Sequence, residues 1–389
     1  VNDNTAIGYE ALKVNTTGSE NTAVGRQALD ANTTGGNNTA VGVNALGANT
    51  TDSKNTAVGG ECCLTLNGGE ENTAMGYLAM RYSTTADRCT AIGYNALGNQ
   101  TTGSYNTAVG YHAAVDITTG ADNTAIGYRA LDAATTATDL TAVGYDAGGS
   151  NSTGSESVYI GHEAGANHTE SNMTAVGSAA GYSATTANNF TAVGLYAGYY
   201  LTTGNDNVAI GTNAMKAYTT GRCSIAIGND AMADTQGQGH TNIAIGLRAG
   251  CKFASSSNIA IGLDAGGSLD GTSAGSNIFM GNGAAQCITG NSQQNVVIGP
   301  GVRSGTQTTL GNYNTLIGSG SAVCLTGSWN VILGNCSAQC LTCAVQSIII
   351  GACAARGTNS GGNHKFPHGS IAIGQSALCE DRTSTRLNS

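Results

Sequence analysis

A glycine closes the five-residue motif N-[TI]-A-[VI]-G in every one of 22 copies along a 389-residue chain. The copies begin at Asn4, Asn21, Asn38, Asn55, Asn72, Cys89, Asn106, Asn123, Leu140, Ser157, Met173, Phe190, Asn207, Ser224, Asn242, Asn258, Asn277, Asn295, Asn314, Asn330, Ser347 and Ser370. The first ten are spaced by 17 residues and later spacings run from 16 to 23. A unit this short cannot bury an apolar face alone, so a strict repeat of it implies turns stacked on one another.

Column positions, counted from the motif start, show what each residue does. Column four is Ile, Val, Met or Leu in every copy, and column eight is Ala in 18, with Cys62, Val302, Ser321 and Ser337 as the exceptions. Columns one to four are rich in Thr, Val and Ile, which suits a strand whose second and fourth positions share one face and whose third points the opposite way. The glycine ends that strand where a positive φ or a close backbone contact is needed. Columns eight and nine predict a second short strand, and the Asn-Thr-Thr-Gly stretch a returning turn. The expected fold class is all-β: a parallel β-solenoid of about 22 rungs, which at ~4.8 Å per rung would extend about 100 Å. Asn heads 14 rungs, so stacked amides are expected to form a polar ladder inside it.

Composition excludes several functions. Four Phe and one Trp are too few for a large round core, yet aliphatic residues are too many for a disordered chain. A net charge of −9 with 15 scattered Lys and Arg does not suit nucleic acid. No run approaches the roughly 18 apolar residues of a membrane-spanning helix. Carboxylates, Arg and His fall in variable columns without clustering, and the glycines belong to a repeat rather than to a phosphate-binding turn, so neither an enzyme nor a cofactor is expected. His364 and His368 share the longest insertion but lack companion ligands at fixed spacing, so no metal site is expected.

The units NTAVG, SIAIGNDAMA and NIAIGLRAG resemble the head repeat of trimeric autotransporter adhesins, and repeats of some phage tail fibres, over nearly the whole chain. The resemblance implies a left-handed β-roll, usually trimeric, on the outside of a cell or virion and used for adhesion. The unit here is longer than that family's, and no heptad stalk or membrane-anchor barrel follows. Val1 to Asn4 lead straight into the pattern without leader features, and no cap is evident at either end, so a trimer and a head-to-tail filament are both expected forms of self-association.

The chain divides by composition. Column two is Thr in eleven of the first twelve units and Ile or Val in nine of the last ten, which separates an N-terminal half, 1–206, from a C-terminal half, 207–380. Residues 381–389 leave the pattern and read as foreign to it. From Asn277 to Gly351 column three enlarges to Phe279, Val297, Leu316, Ile332 and Ile349, making both strand faces apolar. Such a segment is either an oligomer interface or the wall of a thicker core.

Candidate sites follow from the columns. Tyr77, Tyr94, Tyr111, Tyr128 and Tyr145 occupy column six on five consecutive rungs, with Tyr9 earlier, and form a stripe that either binds sugar rings or stabilises the stack as a ladder. Thr pairs such as Thr16-Thr17, Thr101-Thr102 and Thr219-Thr220 suggest an ice-binding array, against which stands their place beside Gly in a turn. Sequons at Asn15, Asn32, Asn49, Asn99, Asn151 and Asn167 fall at loop phase and would carry glycans in a glycosylating cell. Cys324 with Cys340, and Cys336 with Cys353, share columns on adjacent rungs at a spacing that permits disulfides, though small apolar filler is the alternative.

Overall fold

The computed structural model describes residues 3–234, 239–271, 273–286, 288–301, 310–321, 325–338, 344–355 and 368–378. Among them lie 22 strands of three or four residues and no helix, and the fold is a parallel β-solenoid with 17-residue spacing. The strands run from β1 (Thr5–Ile7) to β22 (Ile371–Ile373). They fall into two units, Val1–Val193 and Gly194–Ser389. The first holds β1 to β12 (Phe190–Val193) and the second β13 (Val208–Ile210) to β22. Inside each unit every strand pairs in parallel with the next, column on column, as Thr22 does with Thr39 and Ile243 with Ile259.

Two side-chain types set this geometry. Gly8 has φ +132°, and a Cβ built on it would lie 2.5 Å from the carbonyl oxygen of Gly25 on the next rung. The same contact recurs from rung to rung, so column five requires glycine twice over, for its conformation and for its closeness. The column-one asparagines from Asn21 onward are buried, and their amides complete the backbone account. Asn38 Nδ2 donates to Asp52 O at 2.8 Å within its own rung, while Asn38 Oδ1 accepts from the N–H of Asn55 at 2.9 Å on the next. Direct amide-to-amide bonds, such as Asn72 Nδ2 to Asn55 Oδ1 at 3.1 Å, are added in places. Where Met173 and Phe190 stand at column one, the strand itself lengthens to include them.

The second strand expected at columns eight and nine does not form. Columns seven and nine adopt left-handed conformations, as in Gln27 (φ 59°) and Leu29 (φ 51°), so the chain curls rather than extends. Rung-to-rung bonding continues regardless: Gln27 N–H donates to Tyr9 O of the preceding rung at 2.8 Å, and Leu29 N–H to Ala45 O of the following one at 3.0 Å. These bonds offset the cost of placing non-glycine residues at positive φ, which is about 1 kcal/mol or more each.

Column three faces inward. Ala23, Ala40 and their equivalents are buried, as are columns eight and nine, while columns two and four lie half-buried or exposed on the outer face. Phe279, Val297, Leu316, Ile332 and Ile349 are therefore core residues, and their assignment to an oligomer interface is corrected: none is more than 1% exposed within the single chain. Their size is explained by the opposite wall. In several rungs a column-three Ala accompanies a column-nine Leu, as with Leu29, Leu46 and Leu97, whereas Phe279, Ile332 and Ile349 accompany Ala there. A Cβ on Gly266 would sit 2.7 Å from Phe279 Cδ2, and Ile332 and Ile349 share their rungs with Ala338 and Ala355. The core keeps its volume while its large side chain changes sides. Ile332→Ala should cost about 3 kcal/mol through the cavity it leaves. Adding Ala338→Leu should recover most of that loss, as read from urea midpoints of the three chains.

Candidate functional site

The column-six tyrosines form one continuous stack in the first unit. Ring centroids of Tyr94, Tyr111, Tyr128 and Tyr145 follow one another at 5.2 Å with interplanar angles of 10°, 7° and 4°, and Tyr77 joins at 6.0 Å and 29°. Two histidines extend it: His162 lies on Tyr145 at 4.9 Å, and His112 on Tyr111 at 4.2 Å. The rung spacing forces this arrangement, because identical side chains on in-register strands meet face to face. Its consequence is chemical. The flat ring faces are turned to one another, and edges and hydroxyls reach solvent, so the interior of the stripe offers no free face on which a sugar ring could stack. The geometry is that of the cross-rung ladder.

A second ladder runs along column seventeen. Lys54 Nζ meets Glu71 Oε1 at 3.0 Å, Arg88 Nε meets Glu71 Oε2 at 2.9 Å, and Arg88 donates to the Tyr105 hydroxyl at 2.7 Å. Hydrogen bonds from Lys54 and Arg88 hold the Glu71 carboxyl below its ordinary value. All of these groups are exposed, so their contribution to stability is small.

The loop-phase asparagines divide by a single position. Asn32, Asn49 and Asn151, at column twelve, are fully buried. Asn32 Nδ2 donates to Gly35 O and Asn15 Oδ1, and Asn49 Nδ2 to Asp52 O. A glycan attaches through that same nitrogen, so these three positions are corrected: they are structural, not glycosylation sites. Asn15 is half-buried and donates to Gly18 O. Asn99 and Asn167, one column earlier, are also half-buried, and Asn99 Nδ2 donates outward to Asp116 Oδ1.

The paired threonines of the turn are occupied in the same way. In most pairs the first hydroxyl donates to the carbonyl of the matching residue one rung on, as from Thr16 to Thr33 O, Thr84 to Thr101 O and Thr101 to Thr118 O, each at 2.9 Å, while that of Thr50 donates to Asn67 Oδ1 at 2.7 Å. That is turn chemistry, and it uses the hydroxyls an ice-binding array would need.

No disulfide joins Cys336 to Cys353, which are half-buried at equivalent positions of adjacent rungs; Cys324 and Cys340 lie outside the described residues. His364 also lies outside them, and His368 is exposed. Among the described residues no group of three His, Cys, Asp or Glu side chains is placed to hold a metal ion, and no helix is long and apolar enough to cross a membrane.

One polar cluster was not singled out by the sequence. Tyr159 replaces the column-three Ala, is fully buried, and fills space left by Gly148, where a Cβ would come within 2.6 Å of its ring. Its hydroxyl accepts from Asn151 Nδ2 at 2.8 Å and donates to His168 Nδ1 at 2.7 Å, leaving His168 Nε2–H to donate to Ala187 O at 3.2 Å. Burial pushes the Tyr159 phenol up to about 12 and the His168 imidazole down to about 4. Both are neutral and sealed from solvent, so the cluster is a satisfied core rather than a reactive centre. The clue available in the sequence is that His168 stands where other rungs carry a column-twelve Asn.

No family model matches this chain, and no curated protein matches it.

The imidazole of His168 gives the fold a pH dependence. The unfolded chain protonates it near pH 6.5 and the folded chain only near 4, so stability is complete above pH 6.5 and declines as pH falls through that interval, by about 3 kcal/mol. Urea midpoints measured from pH 7.5 to 4.5 should show the decline, and His168→Leu should flatten it.

Proposed function

We propose that the chain is a non-enzymatic structural subunit of an extracellular fibre or adhesin, joined to copies of itself side by side through its second unit. The observation that carries this is the outer face of β13 to β22. Its two outward columns are Ile, Val, Leu or Met at every position except Thr315. Ile245, Val331 and Ile348 remain 37–39% exposed in the single chain, as do their column neighbours in similar degree. An apolar sheet face that runs the length of a unit exceeds what a soluble surface ordinarily presents and suits a matching face of a second copy. A strand apolar on both sides is normally covered on both.

The resemblance to adhesin head repeats supports the placement outside the cell or on a virion, and a trimer as the form of assembly. The non-enzymatic part of the proposal is supported by the placement of most titratable groups along exposed turns and by the burial of others, Tyr159, His168 and Tyr218 among them, away from any substrate. Binding of surface glycans by the tyrosine stripe has no comparable support, since its ring faces are engaged with one another.

Ile332 and Ile349 are buried, so the decisive substitutions fall on their outward neighbours Val331 and Ile348. Sedimentation velocity of the full chain should give an oligomer, and Val331→Lys with Ile348→Lys should give a folded monomer. An unchanged sedimentation coefficient in the double variant, or a monomeric parent at micromolar concentration, would overturn the proposal.

A further inference from the structure

The outer face of the first unit differs from that of the second in one group, the hydroxyl. Column two of β1 to β12 carries Thr5, Thr22 and their equivalents on eleven strands, with Val158 on β10 (Val158–Ile160) standing in their place. Column four beside it is Ile, Val or Met on all twelve. No charged or amide side chain interrupts either column. Thr22 pairs with Thr39, Thr39 with Thr56 and Thr73 with Thr90, so the hydroxyls and methyls repeat along a straight line.

Eleven hydroxyls on this face make no hydrogen bond within the chain among the described residues. The turn threonines a few residues away are spent on carbonyls of the next rung, as Thr84 and Thr101 are. The hydroxyls of the strand face, unlike those of the turn, are not consumed by the fold, and they stand on its outer face. β-branching restricts χ1, so their positions are set before anything binds.

Three occupants are conceivable for such a face. Bulk water requires no neutral lattice and would accept charges in these columns. A second protein copy would bury eleven unpaired hydroxyls, each at a cost of about 1–3 kcal/mol. A crystalline surface of water satisfies both halves of the pattern, because its oxygens hydrogen-bond to hydroxyls while its cavities take methyls. Rungs repeat at ~4.8 Å and the two columns lie ~6.7 Å apart along each strand, so hydroxyls and methyls form a regular two-dimensional array.

We propose that the outer face of β1 to β12 is an ice-binding surface, with its column-two threonines supplying hydroxyls and its column-four aliphatics supplying methyls. A mineral surface would demand carboxylates, and crystalline polysaccharide would demand open aromatic faces; this face has neither. The site is separate from the aliphatic face proposed for self-association, so either can fail without the other.

The test is ice growth observed under a microscope with controlled cooling, using the full chain. The parent should facet ice crystals and hold their growth over a measurable gap between melting and freezing. Thr90→Lys with Thr107→Lys, which places two charges mid-array at outward positions, should reduce that gap to the buffer value while circular dichroism stays unchanged. Thr84→Val with Thr101→Val, in the turn, should keep it. A parent that leaves ice unshaped would overturn the proposal, as would a strand-face variant with the parent's full activity or equal loss in both variants. If the strand-face variant instead dissolves an oligomer of a parent without ice activity, the face belongs to a protein partner and the proposal falls.

Discussion

The structure depends on how closely one rung lies on the next. At column five the backbone of each rung comes so near the following glycine carbonyl that a single methyl group would not fit, and the φ of that residue is open only to glycine. This contact holds the strands in register, and register aligns every other column. Asparagine ladders, aromatic stacks and charge ladders are consequences of that alignment rather than independent designs. Each is a column of like residues brought face to face by the same translation.

Alignment also limits what the interior can vary. In a narrow core the chain can move a large side chain between walls: Leu29 opposite Ala23 in one rung, Ile332 opposite Ala338 in another, Tyr159 against Gly165 in a third. Buried polarity obeys the same economy. The column-one amide serves two backbone groups at once, and Tyr159, Asn151 and His168 satisfy one another where a larger polar residue enters. The volume rule explains why apolar columns widen in the second unit without any partner being involved.

Periodicity made the repeat, the strand columns and the parallel stacking legible in the sequence. It did not reveal which strand face points inward, because Ala at column three is compatible with either side and the β-branched residues of columns two and four look like core. The inward role of column three rests on the opposite wall, Ala28 and Leu29, which period-two arithmetic does not see. The second strand expected at columns eight and nine fails to form for a related reason. Columns seven and nine carry ordinary residues such as Gln27 and Leu29 in left-handed conformations that no local propensity announces, since the stabilising bonds come from neighbouring rungs. Asparagine sequons misled by one position: column twelve turns inward to cap the turn and column eleven outward, a difference set by the bend rather than by residue type.

A solenoid of this kind separates what holds it together from what it offers. Column five, the asparagines and the inward columns are committed to the stack, and changes there are felt as stability. Columns two and four lie on the outer face, so column two can change from Thr to Ile without disturbing register, as it does between the two units. The fold therefore accommodates a face rich in hydroxyls on one unit and, Thr315 apart, an aliphatic face on the other in the same register. Hydroxyls without internal partners favour a hydrogen-bonding ligand, whereas aliphatic columns favour another apolar sheet. One scaffold thus carries two outer faces of different chemistry, distinguished mainly by the hydroxyl at column two.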